Sequence, residues 1–490
     1  MNLKDKSVVF SYIEKVSLVL ILYKMITLII GGGEQFYSTY INRFVWEGII
    51  YLGIAILIVF RVNLKNFLIY IPTAIYLIVF YILLLRTGYK VNSPDLWMMD
   101  LRKGLAVATL IPLVVDAICK KRFCRFEELD AAKIILFAVV YLGVVVVPGG
   151  MNGYMFFGFV LVYMLVSFPK ERIELLVICL AVADVLATVV LSAKSLITHP
   201  YAGEPRYSGA FTNLHGFGMF VGSGIVCCLF LFACVILRAK RKRLICGLLV
   251  PIILFLLYVF YLISSRSALL GVILCVFVLG CLMAFYTKSK LVKGILLSAV
   301  ILVLLFTGIV LLLGINYEKY SDVIEKYPRL DYMARHLRVD EDLPSYYGFF
   351  EDDSLANKID FFTSGRLSAW KVTVEQLKWF SGNSTAIEVD ETWITNPHNT
   401  YLGYLNCWGI LPGGLFLTTL IYTFIVSIIN IKNNREDLPN KAIMSIFAVL
   451  WFAYSFTIFM NEMLYPTALY VIVCLLLLGL LQRINPKTDN

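Results

Sequence analysis

What this chain has little of sets its class before any motif does. Charged residues make up 16% of it, against roughly 25% in an average soluble domain, while hydrophobic residues reach 60%. Such a balance excludes an ordinary soluble domain and a disordered chain alike. Histidine is scarce, with four residues in 490, and their spacings match no metal-ligand pattern, which argues against a zinc site. Of the 11 cysteines, none falls within residues 316–399, the longest polar stretch. A disulfide framework or a cysteine-based metal centre there is therefore not expected. The sequence shows no repeat of solenoid period, no low-complexity tract and no small-residue cleavage signal after its first apolar run.

Long hydrophobic runs are what remain. A helix needs about 20 apolar residues to cross a bilayer core. About fourteen candidates follow: 12–30, 45–60, 66–85, 104–118, 132–147, 151–168, 173–192, 211–237, 244–263, 268–286, 294–314, 401–429, 442–460 and 467–481. The sequence thus predicts an all-α polytopic integral membrane protein with one large external loop containing short interfacial helices. Four regions are expected: N-terminal transmembrane helices (1–192), central helices (193–314), the large loop (315–400) and C-terminal helices (401–490).

Charge orients this arrangement. With both termini in the cytoplasm, inside segments collect basic clusters such as Lys120-Lys121-Arg122 and Arg238-Ala239-Lys240-Arg241-Lys242-Arg243. Their excess over the short outside loops is about threefold, as the positive-inside rule requires. Residues 316–399 run the other way, with 15 acidic residues against 9 basic ones. The net charge of +10 then reflects topology and anionic headgroups as partners, and no nucleic acid is expected. In a bacterium, such a chain belongs in the cytoplasmic membrane with its large loop outside.

Two stretches of that loop have helical spacing. Residues 317–338 are amphipathic, interrupted at Pro328. From Arg366 to Phe380, apolar residues recur at Leu367, Trp370, Val374, Leu377 and Phe380, with Ser364 as the expected N-cap. This pattern predicts an interfacial helix lying against the membrane or the helical bundle. The acidic, aromatic segment 340–353 between them reads as a solvated lobe. The returning run 401–429 is longer than one straight crossing needs, and Pro412-Gly413-Gly414 is the expected break.

At this point four motifs resemble one family. Arg206-Tyr207-Ser208-Gly209-Ala210-Phe211-Thr212-Asn213 enters one span, and Ser264-Ser265-Arg266-Ser267-Ala268 lies at the outer end of another. Gly365-Arg366-Leu367-Ser368-Ala369-Trp370 and Pro397-His398-Asn399-Thr400-Tyr401-Leu402 follow. In this order, each on the predicted outer face, they resemble the bacterial O-antigen polymerase and O-antigen ligase superfamily over about residues 206–429. Leu214-His215 departs from the Pro-Asn pair the family often shows. The resemblance implies a glycosyltransferase without metal or cofactor that acts on undecaprenyl-pyrophosphate-linked oligosaccharide at the outer membrane face. It implies pyrophosphate binding by Arg206, Arg266 and Arg366, and proton removal by His398. It also makes a flippase and a chain-length regulator natural partners, and O-antigen or capsule the type of product.

The residue types suit that chemistry independently. Guanidinium is always ionised and offers paired donors to phosphate oxygens. Imidazole can accept a proton near neutrality. Asp184, near the middle of a span, is a candidate because ionisable groups are costly there; a structural ion pair is the equal alternative. Glu462, at the outer end of another span, is a second supporting candidate that could orient His398. A lipid-linked oligosaccharide flippase is the competing class, though a single outsized loop and the lack of visible two-fold repeats argue against it.

Overall fold

The computed structural model describes residues 3–31, 41–86, 94–121, 170–204, 206–211, 214–238, 242–286, 317–326, 350–351, 354–362, 365–380, 387–390, 393–395, 397–434 and 443–460, with 301, 305, 308, 473 and 474 as single positions. The expected spans 132–147, 151–168 and most of 294–314 and 467–481 lie outside these residues, as do Glu462 and Ser364.

Helices account for nearly all of it. They are α1 (Leu3–Gly31), α2 (Ile41–Val59), α3 (Phe67–Arg86), α4 (Pro94–Ala108), α5 (Ile111–Cys119), α6 (Lys170–Thr198), α7 (Leu214–Arg238), α8 (Lys242–Ile263) and α9 (Arg266–Tyr286). After α10 (Tyr317–Ile324), α11 (Leu355–Phe362) and α12 (Arg366–Glu375) come two short strands, β1 (Ile387–Asp390) and β2 (Trp393–Thr395). The chain returns through α13 (Thr400–Trp408), α14 (Ile410–Asn433) and α15 (Ile443–Phe459). Beside the helices, β1 and β2 pair antiparallel, a small hairpin in the otherwise all-α architecture that the sequence predicts. There the alternating Ile387-Glu388-Val389-Asp390 and Trp393-Ile394-Thr395 suit a strand period of two, not a helix.

Among the described residues, α3, α7, residues 171–198 of α6 and residues 244–263 of α8 are long and apolar enough to cross a membrane. Shorter apolar helices cover 46–59, 267–283, 420–433 and 443–459. The figure of fourteen is thus not reached within the described residues. The expected span 104–118 is divided between α4 and α5, with a turn at Thr109-Leu110 before Pro112, which removes a donor from the second helix's first turn.

Helix α7 is the hub. It packs on α6, α8, α9 and α15, and its residues from Gly216 to Cys228 are buried without a gap. Small residues make that possible. A Cβ built on Gly222 would lie 2.1 Å from Tyr454 Oη, which donates to the Met219 carbonyl at 2.5 Å. Only glycine lets α15 approach this closely, the device by which helices associate where no water is expelled between them. In contrast, 11% of the apolar window of α3 and 22% of that of α8 are buried, so these two helices present their sides outward, as lipid-facing helices do.

The neighbours of α7 run antiparallel to it or return beside it, so several termini share one end of the bundle. Gly218 lies against Ser265, Gly224 against Thr188, and Gly271 against Thr457. The C-terminal ends of α6, α8 and α15 therefore meet the N-terminal ends of α7 and α9. The opposite end is tied by ion pairs of Glu14 with Arg61 and Arg172 and of Glu174 with Arg238.

Candidate functional site

Arg206 sits in the loop that joins α6 to α7, and its neighbour Tyr207 fixes that loop on both sides. Tyr207 is buried, and its backbone N–H donates to the Leu262 carbonyl at 3.0 Å, at the end of α8. Its hydroxyl donates to the His199 carbonyl at 2.6 Å and lies 3.3 Å from Ser195 Oγ. Ser195 Oγ also accepts from the Ala210 N–H at 2.9 Å, and Phe211 stacks on Phe217 with centroids 4.2 Å apart. Burial raises the Tyr207 phenol above its ordinary value, opposed by the bond to Ser195. The group therefore stays a neutral donor through the physiological range. The loop is a clamp, and it holds the residue after Arg206 against Leu262, two positions before the Ser264-Ser265-Arg266 motif.

Arg266 opens α9. The turn before it is tight: Ser264 has φ 55, and its hydroxyl donates to the Tyr261 carbonyl at 3.0 Å. Ser265 is buried beside Gly218, and its carbonyl accepts from the Leu269 N–H at 3.0 Å as the first bond of the helix. The free N–H groups and positive dipole of α9 thus begin at the same place as the guanidinium-bearing residue.

Arg366 opens α12, and its helix start differs from the expected one. The N-cap is Gly365, in the left-handed region at φ 78 and making no side-chain cap. The capping acceptor is Asp360 of α11, eight residues before Ser368. It is fully buried, and its two oxygens accept from Ser368 N–H at 2.8 Å and Ser368 Oγ at 2.5 Å. The carboxylate therefore stabilises the N-terminal end of α12 from a neighbouring helix, a remote form of capping. The helix is shorter than 366–380 and turns its small face inward. Ser368, Ala369, Val372 and Thr373 are buried, while Val374, Trp379 and Phe380 are exposed. Close approach to α11 and α13 selects the small side chains, while Leu367, Trp370 and Leu377 are half-buried.

His398 lies between two fixed residues. The Trp370 indole N–H donates to the Pro397 carbonyl at 2.8 Å. Asn399 caps α13, its Oδ1 accepting from the Leu402 N–H at 3.1 Å, and its Nδ2 lies 3.9 Å from Met460 Sδ at the end of α15. Between them His398 holds φ 42, a left-handed conformation uncommon for a side chain larger than glycine and retained where the surroundings impose it. The span breaks at the end of α13, at Gly409 with φ 94, three residues before the expected Pro412-Gly413-Gly414. Pro412 instead falls in the first turn of α14, where its missing N–H costs nothing. A Cβ on Gly413 would lie 2.7 Å from the Tyr404 carbonyl, so α14 starts by folding back onto α13. The Ile410 and Leu411 N–H groups are taken by the Lys378 and Trp379 carbonyls at 2.7 and 3.0 Å.

The structure thus brings the Arg206 loop next to the turn before Arg266, and it bonds α12, which Arg366 opens, to Pro397, the residue before His398. Both pairs sit at the same end of the bundle, joined by the Ser265–Gly218 and Asn399–Met460 contacts. Asp184 is elsewhere. It lies 11 residues, or about 16 Å of helix, from Ser195. It is buried against α7, where Ser223 and Cys227 face it. Ser223 Oγ donates to the Phe220 carbonyl at 2.8 Å instead, and neither Asp184 oxygen has a partner of hydrogen-bond geometry among the described residues. No group of three or more His, Cys, Asp or Glu residues able to hold a metal ion occurs among the described residues.

Sequence reasoning missed Asp360, Trp370, Tyr207 and Ser195. Only Tyr207 and Trp370 carried a signal, as aromatic residues inside the arginine motifs.

These features define an integral membrane protein built from apolar helices, with arginine and histidine motifs gathered at one end. Within that class, a family model described as O-antigen ligase matches residues 251–418, which is consistent with the O-antigen polymerase and ligase superfamily. The matched stretch takes in Arg266, Arg366 and His398, and Arg206 and Asp184 precede it. No curated protein and no solved structure matches the chain.

Proposed function

We propose that this protein is a polysaccharide repeat-unit polymerase of the outer face of the bacterial cytoplasmic membrane. It would be an inverting, metal-independent glycosyltransferase that moves a glycan from undecaprenyl pyrophosphate to a sugar hydroxyl. The observation that carries this reading is the placement of Arg206, Arg266, Arg366 and His398 at one end of the bundle, three of them inside the matched family segment. In the proposed step the acceptor oxygen attacks the anomeric carbon as the bond to the pyrophosphate oxygen breaks. His398 takes the hydroxyl proton, and the arginines meet the charge that develops on the departing undecaprenyl pyrophosphate. Charge stabilisation fixed in advance at a water-poor site is a large catalytic term, and a single displacement inverts the anomeric centre.

Transfer to lipid A-core or another acceptor is the second reading, favoured by the family description itself. Both readings share the donor half of the reaction. The test uses purified protein in liposomes with a lipid-linked repeat unit as sole substrate. Longer lipid-linked chains and released undecaprenyl pyrophosphate support the polymerase. Transfer only when a lipid A-core acceptor is added supports the ligase. Lipid movement between leaflets without any product overturns both in favour of a flippase.

A further inference from the structure

We propose that Lys378-Trp379-Phe380, together with Leu411, forms a hook inserted into the outer phospholipid leaflet, which sets the height of the Arg366 helix above the bilayer core. This rests on the proposed function only for its consequence, not for the site itself. Trp379 and Phe380 are 66% and 68% exposed, unusual for two consecutive large aromatic residues in an extracellular loop. They are not on a free tail. The Lys378 and Trp379 carbonyls accept from the Ile410 and Leu411 N–H groups at 2.7 and 3.0 Å, so the hook is bonded to the start of α14 and moves with it.

The occupant is indicated by what continues below. At 100° per residue, Leu411, Ile425, Ile428 and Ile429 share one face of α14 within about 100°. All four are exposed, at 44%, 47%, 42% and 47%. On a helix that carries an apolar segment at 420–433, such a stripe faces acyl chains, and Leu411 is its uppermost member. Trp379 and Phe380 extend it by one step at the level where tryptophan is enriched, between chains and headgroups. Lys378, also exposed, places an ammonium where lipid phosphates lie. The other end of the same segment is α12, which begins at Arg366. Anchoring the hook therefore fixes that residue at the depth where a lipid-carried pyrophosphate is presented.

The test begins with the protein in bilayers of phosphatidylcholine brominated near the glycerol or near the chain ends. The chain has seven tryptophans, so the Trp379 signal is taken as the difference between wild type and Trp379→Phe. Strong quenching by the shallow bromines, weak quenching by the deep ones and shielding from aqueous iodide are expected. Free quenching by iodide with no effect of brominated lipid overturns the anchor. In the second arm, Trp379→Asp/Phe380→Asp should raise KM for a bilayer-borne substrate by about tenfold or more, with kcat nearly kept. A water-soluble short-chain analogue should show no such change. Equal losses on both substrates overturn the depth role. Should the wild type elongate no glycan while Trp379 is quenched by lipid, the anchor stands and the polymerase reading falls.

Discussion

The Trp370 indole donates to the Pro397 carbonyl at 2.8 Å, and this bond joins the Arg366 and His398 motifs. Trp370 lies one helical turn after Arg366, on the same face of α12, while Pro397 precedes His398. Twenty-seven residues of chain separate the bonded pair, so the bond sets a tertiary distance that the local backbone does not. Trp370→Phe keeps the ring and removes the donor. It should leave expression and melting temperature close to wild type, since one hydrogen bond contributes about 1 kcal/mol net. The elongation rate should drop about fivefold or more if that bond holds the arginine and the histidine in register. An unchanged rate would show that the two motifs are positioned by other contacts.

How far the sequence foretold this site depends on the range of the interaction concerned. The apolar helices that carry the four motifs were legible because apolar runs are written locally, at lengths a bilayer dictates. The cap of α12 was not. Ser364 satisfied the local rule, but Asp360 reaches the same helix from α11 across a turn, and no short pattern encodes that. The break of the last long span was placed at Pro412-Gly413-Gly414 because proline and glycine mark turns. The chain instead breaks at Gly409, where φ 94 demands glycine, and uses Gly413 for close packing on α13. Likewise, spacing found the apolar stripe of 366–380, yet packing buried the opposite, small-residue face. Periodicity shows that two faces differ, and neighbours decide which one turns inward.

The arginines should fail a conservative exchange. Arg266→Lys and Arg366→Lys keep the charge but replace a planar pair of donors with one ammonium. By analogy with loss of an oxyanion donor, each should cost about 2–4 kcal/mol in kcat, or 30- to 1,000-fold. Normal polymer from both variants at normal expression would remove these residues from the site.

Orientation can be read with single cysteines in a cysteine-free background. Glu351→Cys and Glu375→Cys, both at exposed positions, should react with a membrane-impermeant thiol reagent in intact spheroplasts. Lys65→Cys, exposed in the turn between α2 and α3, should react only after the membrane is opened. The basis is the charge bias of the loops. The reverse pattern would turn the arginine end of the bundle toward the cytoplasm, where the proposed reaction does not occur.

The backbone of His398 allows a cleaner deletion of its imidazole than alanine offers. At φ 42, an L-residue with a Cβ is strained by about 1 kcal/mol, whereas glycine is not. His398→Gly should therefore fold and insert, with a melting temperature at or above that of His398→Ala. Both should lose elongation by about 10²- to 10⁴-fold, the usual effect of removing a general base, while still binding the lipid-linked repeat unit. The melting comparison checks the strain and the elongation rate checks the proton transfer, so the two claims can fail separately. If His398→Gly is stable and still elongates at near the wild-type rate, His398 is a helix-entry residue, and the base for the reaction has to be found elsewhere in the loop.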